Sequence, residues 1–371
     1  MSKLIYDSTK NSDMFYATGV NIVDPFFFID TEKEQLVFLD HREFDLFKEY
    51  RSNKNVKAVL LNDIIKKACK LKDNTSLINK LAIYLLKKYK IAHKKIIVPA
   101  NFPFSMALFL QSKGIKLIPK ISFWPERIKK INKEVDYIRK NSQSVINAFK
   151  YIETVLKESE IKGDKLKYRG KILTSEFLKL KVEHMLIEKD MLSAEGIIIS
   201  CGRDSSIPHH PGKGLLKPFQ TIVCDIFPKN KSNSYFTDMT RTYIKGKPSK
   251  EILKMYKAVE LSQKAGINSV KKGISGKELH NICSKVFLDL GYDVGDKGFI
   301  HGTGHGVGLD IHEEPFVNSS SKTRLKIGNV ITIEPGLYYK NIGGVRIEDT
   351  ILVKEKGCEV LTKYHKKFII P

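Results

Sequence analysis

The sequence predicts an α+β protein of two domains, a smaller α/β domain over residues 1–125 and a larger α+β domain over residues 126–371. Three observations carry that expectation. A chain of 371 residues exceeds the usual size of one compact domain, so one large and one smaller domain are expected. The stretch Phe123-Trp124-Pro125 marks the boundary between them. Beyond it, helix-period stretches alternate with short β-like runs bounded by glycine or proline, a pattern in which helix pairs cover antiparallel hairpins.

Taken in order, Phe26 to Asp30, the polar turn Thr31 to Glu34, and Leu36 to Leu39 read as a β-hairpin. A helix is expected from about Leu77 to Tyr89, then a strand from Lys95 to Val98 ending at Pro99. Another helix from Phe104 to Gln111 is stopped by Gly114, and Ile115 to Ile118 forms a further strand. His41 and His93 stand alone here and read as surface or structural residues.

In the second domain Ile128, Ile131, Val135, Ile138, Val145, Phe149, Ile152 and Leu156 follow a helical spacing. They predict a long amphipathic helix broken by a polar turn at Asn141 and Ser142. A second helix follows from about Ser175 to Ile187, then a strand from Gly196 to Ser200 and a loop from Ser205 to Gly212. After the acidic strands come a helix from Ser249 to about Lys271 and another opening at Ser275, where Ser275 and Glu278 have the spacing of a capping box.

Composition narrows the function. Five scattered cysteines, without a CxxC pair, speak against a disulfide framework or a zinc knuckle. The net charge of +23 raises the question of nucleic acid, but the lysines are spread along the chain and no aromatic-basic motif accompanies them. A solvated basic surface is the expectation, with no nucleic-acid partner. No apolar run is long enough to span a bilayer, and Met1 to Asp7 lacks the apolar core of a signal peptide, so no membrane partner and a cytoplasmic setting are expected.

The chemistry concentrates between Gly298 and Pro315. His301, His305 and His312, three of the ten histidines, fall within twelve residues, among glycines at 302, 304, 306 and 308 that let backbone bend tightly and approach a ligand. No strand-then-helix frame with a Lys-Ser/Thr ending follows, which excludes a phosphate-binding loop. Four further runs each set an acidic residue on a short strand: Thr221 to Phe227 with Asp225, Tyr235 to Thr242 with Asp238, Ile331 to Tyr338 with Glu334, and Gly343 to Asp349 with Glu348. Side chains two apart on a strand share a face, so Arg346 lies with Glu348, Thr240 and Thr242 with Asp238, and Thr332 with Glu334. Carboxylates gathered on such faces repel one another unless cations neutralise them. Two Asp, two Glu and one or more His make an oxygen-rich set suited to a pair of divalent ions.

The order and wording of these motifs, His301 to Pro315 (HGTGHGVGLDIHEEP) followed by EPGLYY and GGVRIED, resemble the pita-bread metallopeptidases, and most of all their Xaa-Pro members. The resemblance covers essentially the whole chain and implies a pita-bread catalytic domain over residues 126–371 behind a creatinase-like domain over 1–125. By position it implies that Asp225, Asp238, His305, Glu334 and Glu348 hold two metal ions, with Asp238 and Glu348 bridging them. A water shared by the metals would be the nucleophile and Glu334 would accept its proton. His209 and His312 would contact the scissile amide, His301 and Arg346 would support the site or the substrate pocket, and Tyr338 would line that pocket. The same resemblance implies manganese first, with cobalt, iron or zinc as alternatives, short proline-containing peptides as substrates, and a homodimer. One departure is Phe227, where the family usually has glycine, with a slightly longer loop at residues 228–233 behind it.

The implied activity is that of an Xaa-Pro aminopeptidase, with an Xaa-Pro dipeptidase as the alternative. A creatinase-like amidinohydrolase shares the fold but lacks the full ligand set. A non-peptidase binding module using the basic surface is the rival from another class, and a salt-sensitive RNA affinity without peptidase activity would favour it.

Overall fold

A computed structural model describes residues 1–51 and 53–371. They form two compact units, Met1–Arg127 and Ile128–Pro371.

The first unit is built on a six-stranded mixed sheet in the order Val56–Leu60, Gln35–Leu39, Phe26–Asp30, Ser2–Asp7, Lys95–Pro99, Lys116–Lys120. The expected hairpin pairs Phe27 with Phe38 and Asp30 with Gln35, and Thr31 N–H closes its turn on Glu34 O at 3.0 Å. Its alternation feeds two cores. Phe27, Ile29, Leu36 and Phe38 pack on one face with helices Asn62–Cys69, Leu77–Lys88 and Phe104–Ser112, whereas Phe26, Phe28, Val37 and Leu39 pack on the other with Met14, Phe47 and Trp124. The strand Ser2–Asp7 at the centre of this sheet is too short and mixed to announce itself in sequence. Both Leu4 and Ile5 are fully buried, one on each face.

In the second unit the helix Asn132–Glu158 runs unbroken for 27 residues. The expected polar turn at Asn141 and Ser142 is absent. Both residues are buried within the helix: Ser142 Oγ donates to Ile138 O and lies 2.7 Å from Thr237 Oγ1, while Asn141 Nδ2 donates to Tyr235 O at 2.9 Å. Two polar residues in an apolar face are therefore a docking contact with the segment leading into Asp238. Val145, Phe149, Ile152 and Leu156 on the same helix enter a core with Leu178 and Val182 of helix Ser175–Ile187 and with Ile222, Cys224 and Ile226. Each such side chain contributes roughly 1.5–3 kcal/mol on burial.

This helix pair covers a four-stranded sheet in the order Ile198–Cys201, Thr221–Ile226, Met239–Lys245, Ile369–Ile370. The second helix pair, Lys250–Ser269 and Gly276–Asp289, begins at Ser249 and at the Ser275–Glu278 capping box as expected. It covers a five-stranded sheet in the order Glu313–Val317, Gly304–Gly306, Val330–Ile333, Asp349–Val353, Cys358–Val360. The α+β alternation of helix pairs with hairpins is thus observed. Among the described residues no helix is long and apolar enough to cross a membrane.

The glycines between residues 302 and 308 serve close approach rather than tight bending, since none of them has a positive φ. A Cβ on Gly304 would stand 2.0 Å from Thr332 O, and one on Gly306 would stand 2.5 Å from Glu314 O. Backbone lies against backbone on both sides of His305. Gly304→Ala should accordingly cost about 1–3 kcal/mol by forcing the strands apart. A urea midpoint equal to that of the wild type would contradict this account.

Candidate metal centre

The acidic residues are set by strand register. Where Thr221–Ile226 pairs with Met239–Lys245, Asp225 stands opposite Thr240, and Asp238 lies two residues from Thr240 on the same face. In the other sheet Ile333 pairs with Asp349, which carries Glu334 and Glu348 out together from the end of that ladder. Gly306 pairs with Ile331, and His305 N–H donates to Thr332 Oγ1 at 3.1 Å, so the histidine is fixed by the strand that leads to Glu334. Backbone bonds join the two sheets here: Glu348 N–H donates to Thr240 O at 3.1 Å, and Thr350 Oγ1 donates to Asp238 O at 2.7 Å.

The result is a compact donor set. Asp238, His305 and Glu348, all buried, each offer one atom within 4.8 Å of the others. His305 Nε2 is 3.3 Å from Glu334 Oε1 and 3.7 Å from Asp238 Oδ2. Asp225 Oδ2 is held by Arg346 Nη2 at 2.6 Å, and Glu348 Oε2 accepts from Thr240 Oγ1 at 2.6 Å. Each of these acids keeps its other oxygen without a donor. Asp225 Oδ1, Asp238 Oδ1 and Glu348 Oε1 are buried and have no hydrogen-bond partner. Buried oxygens of this kind are costly in a protein interior, and an oxygen-rich set with one imidazole is what hard divalent cations take, so the residues fit such ions.

Electrostatics agree. Burial, reinforced by the neighbouring carboxylates, holds Asp238 and Glu348 well above the usual carboxylate range. Burial alone would lower His305, but the hydrogen bond and charge of Glu334, with Asp238, outweigh it and raise the imidazole to about 9. Burial would raise Glu334, and its bond to His305 brings it down to about 2 instead. The metal-free cluster keeps protons where cations would sit.

These groups line a cleft of about 490 Å³ together with His209, His301, His312 and Arg346. His312 packs edge-on against His305, with ring centroids 4.3 Å apart. His209 lines the cleft, whereas His210 turns back to accept from Gly212 N–H at 3.0 Å. Tyr338, expected to line the pocket, stands behind its surface. Its hydroxyl accepts from Arg346 Nη1 at 2.7 Å and meets His301 Nε2 at 3.0 Å, while His301 Nδ1 donates to Gly302 O at 2.7 Å. Burial keeps His301 neutral and pushes Tyr338 up to about 12, which matches a tyrosine O–H donating to an imidazole nitrogen.

Sequence reasoning placed Thr240 and Thr332 on the acidic faces without seeing that they hold Glu348 and His305. It also missed the apolar wall of Ile197, Phe227, Ile311 and Phe316. Phe227 thus belongs to the cleft. The loop behind it is anchored by pairing of Lys229–Asn230 with Met191–Leu192.

A pH dependence follows. Asp238, Glu348 and His305 retain protons in the folded chain that the unfolded chain releases above about pH 4 for the acids and about 6.5 for the imidazole. The metal-free fold therefore loses stability as pH rises toward the His305 value of about 9. Glu334 acts in the opposite sense, but only in acid, below its ordinary range and toward about 2. Thermal melts of chelator-stripped protein should fall from pH 5 to pH 9, roughly the span of these values, and added manganese should raise Tm by more at the alkaline end. A manganese increment that is constant or shrinks with pH would contradict this.

Comparison with known proteins accords with this geometry. The model of metallopeptidase family M24 matches residues 136–355. An Xaa-Pro dipeptidase of Pyrococcus horikoshii is 29% identical over 97% of this chain and 93% of its own length. A Mycoplasma genitalium protein with a provisional Xaa-Pro aminopeptidase name is 31% identical over 77% of this chain and 84% of its own length. The solved prolidase from Pyrococcus furiosus superposes with a TM-score of 0.76 at 26% identity, covering 98% of this chain and 96% of that one. The chain belongs to metallopeptidase family M24, hydrolases built on the pita-bread fold.

Proposed function

We propose that this peptidase is a dinuclear metal-dependent Xaa-Pro aminopeptidase, which removes the residue preceding proline from the N-terminus of short peptides. The observation that carries the reading is the set of three unpartnered carboxylate oxygens buried beside His305. Asp225, Asp238, His305, Glu334 and Glu348 would hold the two cations. Manganese is the first candidate by the family resemblance, with cobalt, iron or zinc as alternatives; the oxygen-rich donor set agrees with hard divalent ions without choosing among the four. When bound, the cations would supply Lewis acidity toward water and toward the peptide carbonyl.

The chain's own residues supply the rest. Glu334, beside His305 at the end of its strand, would take the proton that water loses on adding to the carbonyl carbon. That proton passes to the proline nitrogen as the C–N bond breaks. His312, held below its ordinary value by burial and by His305, stays neutral and offers an N–H to the developing oxyanion, with His209 beside it on the cleft wall. The wall of Ile197, Phe227, Ile311 and Phe316 suits a pyrrolidine ring. Arg346 positions Asp225, and Thr240 positions Glu348. Residues 1–125 are read as the creatinase-like domain, and a homodimer in the cytoplasm as the working form. An Xaa-Pro dipeptidase is the second reading, supported by the nearly full-length alignment with the Pyrococcus horikoshii enzyme.

The deciding experiment is release of the first residue from Xaa-Pro-Yaa tripeptides and of proline from Xaa-Pro dipeptides, with metal-stripped protein before and after manganese. Activity should depend on the metal, favour tripeptides, and fall by at least about 10²–10⁴-fold in Glu334→Gln. Preference for dipeptides would select the second reading, and no cleavage of either with any divalent ion would end both. Thr240→Val, which removes the donor to Glu348, should weaken manganese binding about 10- to 100-fold in a chelator competition. Unchanged affinity would dismiss Thr240 as a positioning residue.

A further inference from the structure

The cleft of this strongly basic protein is lined by histidines but almost free of lysine and arginine. The chain has 64 lysines and arginines against 41 aspartates and glutamates. Among the described residues lining the cleft, Arg346 is the only Lys or Arg, and it is paired with Asp225. Five carboxylates line the same cleft, and four of them belong to the candidate metal centre. The fifth is Glu195.

Glu195 differs from the other four in every respect. It is exposed, and it sits on a turn closed by the bond from Gly196 N–H to Ser193 O at 3.0 Å. Ile197 and Ile198, which follow directly, form part of the cleft wall. No lysine, arginine or histidine pairs with it among the described residues. The turn therefore holds an uncompensated negative charge at the rim of the cleft.

We infer that Glu195 is a specificity-determining residue, receiving the ammonium or guanidinium of a Lys or Arg side chain in the peptide; this rests on the Xaa-Pro peptidase reading above. A net charge of +23 opposes the approach of cationic peptides, and an exposed carboxylate lining the cleft offsets that repulsion at close range. Because the pair is solvent-exposed its contribution is modest, about 1.5- to 5-fold in KM. It acts on binding and leaves kcat alone, since the reacting atoms lie at the metal centre.

The test compares peptides that differ only in charge: Lys-Pro-Ala with norleucine-Pro-Ala, and Ala-Pro-Lys with Ala-Pro-norleucine, in the manganese-loaded wild type, Glu195→Gln and Glu195→Lys. Glu195 is exposed, so both variants should fold, and circular dichroism checks that they do. In the wild type the lysyl peptide of at least one pair should have the lower KM. That advantage should vanish in Glu195→Gln, invert in Glu195→Lys, and shrink at about 0.5 M salt, with norleucine KM and all kcat values unchanged. A Lys-to-norleucine ratio that is the same in Glu195→Gln as in the wild type overturns the inference, as does an equal rise in KM for both members of a pair. Absence of cleavage by the wild type of the norleucine tripeptides and of the dipeptide norleucine-Pro alike is a different failure, that of the peptidase reading itself, and the inference falls with it; a wild type that cleaves only the dipeptide is tested by the same ratio on Lys-Pro and norleucine-Pro.

Discussion

Four carboxylates in one buried site repel each other, and much of the second unit can be understood as the means of keeping them together. Left to themselves in a low-dielectric interior, Asp225, Asp238, Glu334 and Glu348 would take up protons or push apart. Asp238 and Glu348 do hold protons in the metal-free chain, and three of the four are also restrained by a neighbour. Arg346 fastens Asp225, Thr240 fastens Glu348, and His305 pairs with Glu334, while the backbone bond from Glu348 to Thr240 locks one sheet to the other. The restraints leave one oxygen each of Asp225, Asp238 and Glu348 without a donor, and those oxygens define where positive charge belongs.

The restraint continues outward through a second buried arginine. Arg241, 1% exposed, donates to Thr240 O, to Glu348 O, to Asp349 and to the carbonyls of Tyr364 and His365. Its five donors are thereby spent on backbone and on Asp349, and the chain near the C-terminus is tied to the strand that carries Glu348. A buried arginine so engaged is stable only as a complete set, because losing one partner leaves a desolvated charge. The metal-facing and C-terminal parts of the unit are in this way one mechanical piece.

Much of this was legible in the sequence because strands and helices report on burial with different periods. The two-residue alternation of Asp238, Thr240 and Thr242, and of Thr332 and Glu334, showed a polar face on strands whose other face carries core residues, Met239 and Tyr243 on the first and Ile331 and Ile333 on the second. The helix of Ser175–Ile187 and the capping box at Ser275 were set by local chemistry and came out as expected. What was hidden depends on distant partners. Asn141 and Ser142 looked like a break because polar residues in an apolar stripe usually are one; their partners lie about 95 positions away in Tyr235 and Thr237. Tyr338 could not be told from a pocket residue because only the fold shows Arg346 and His301 in front of it.

The long helix also acts as a ruler. Glu134 receives the hydroxyl of Tyr235, and Asn141, two turns further on, donates to that same residue's carbonyl. One inserted or deleted residue between them would turn one contact away from the other by roughly 100°. Any graft or permutation of this scaffold should therefore keep the seven-residue interval from Glu134 to Asn141 intact.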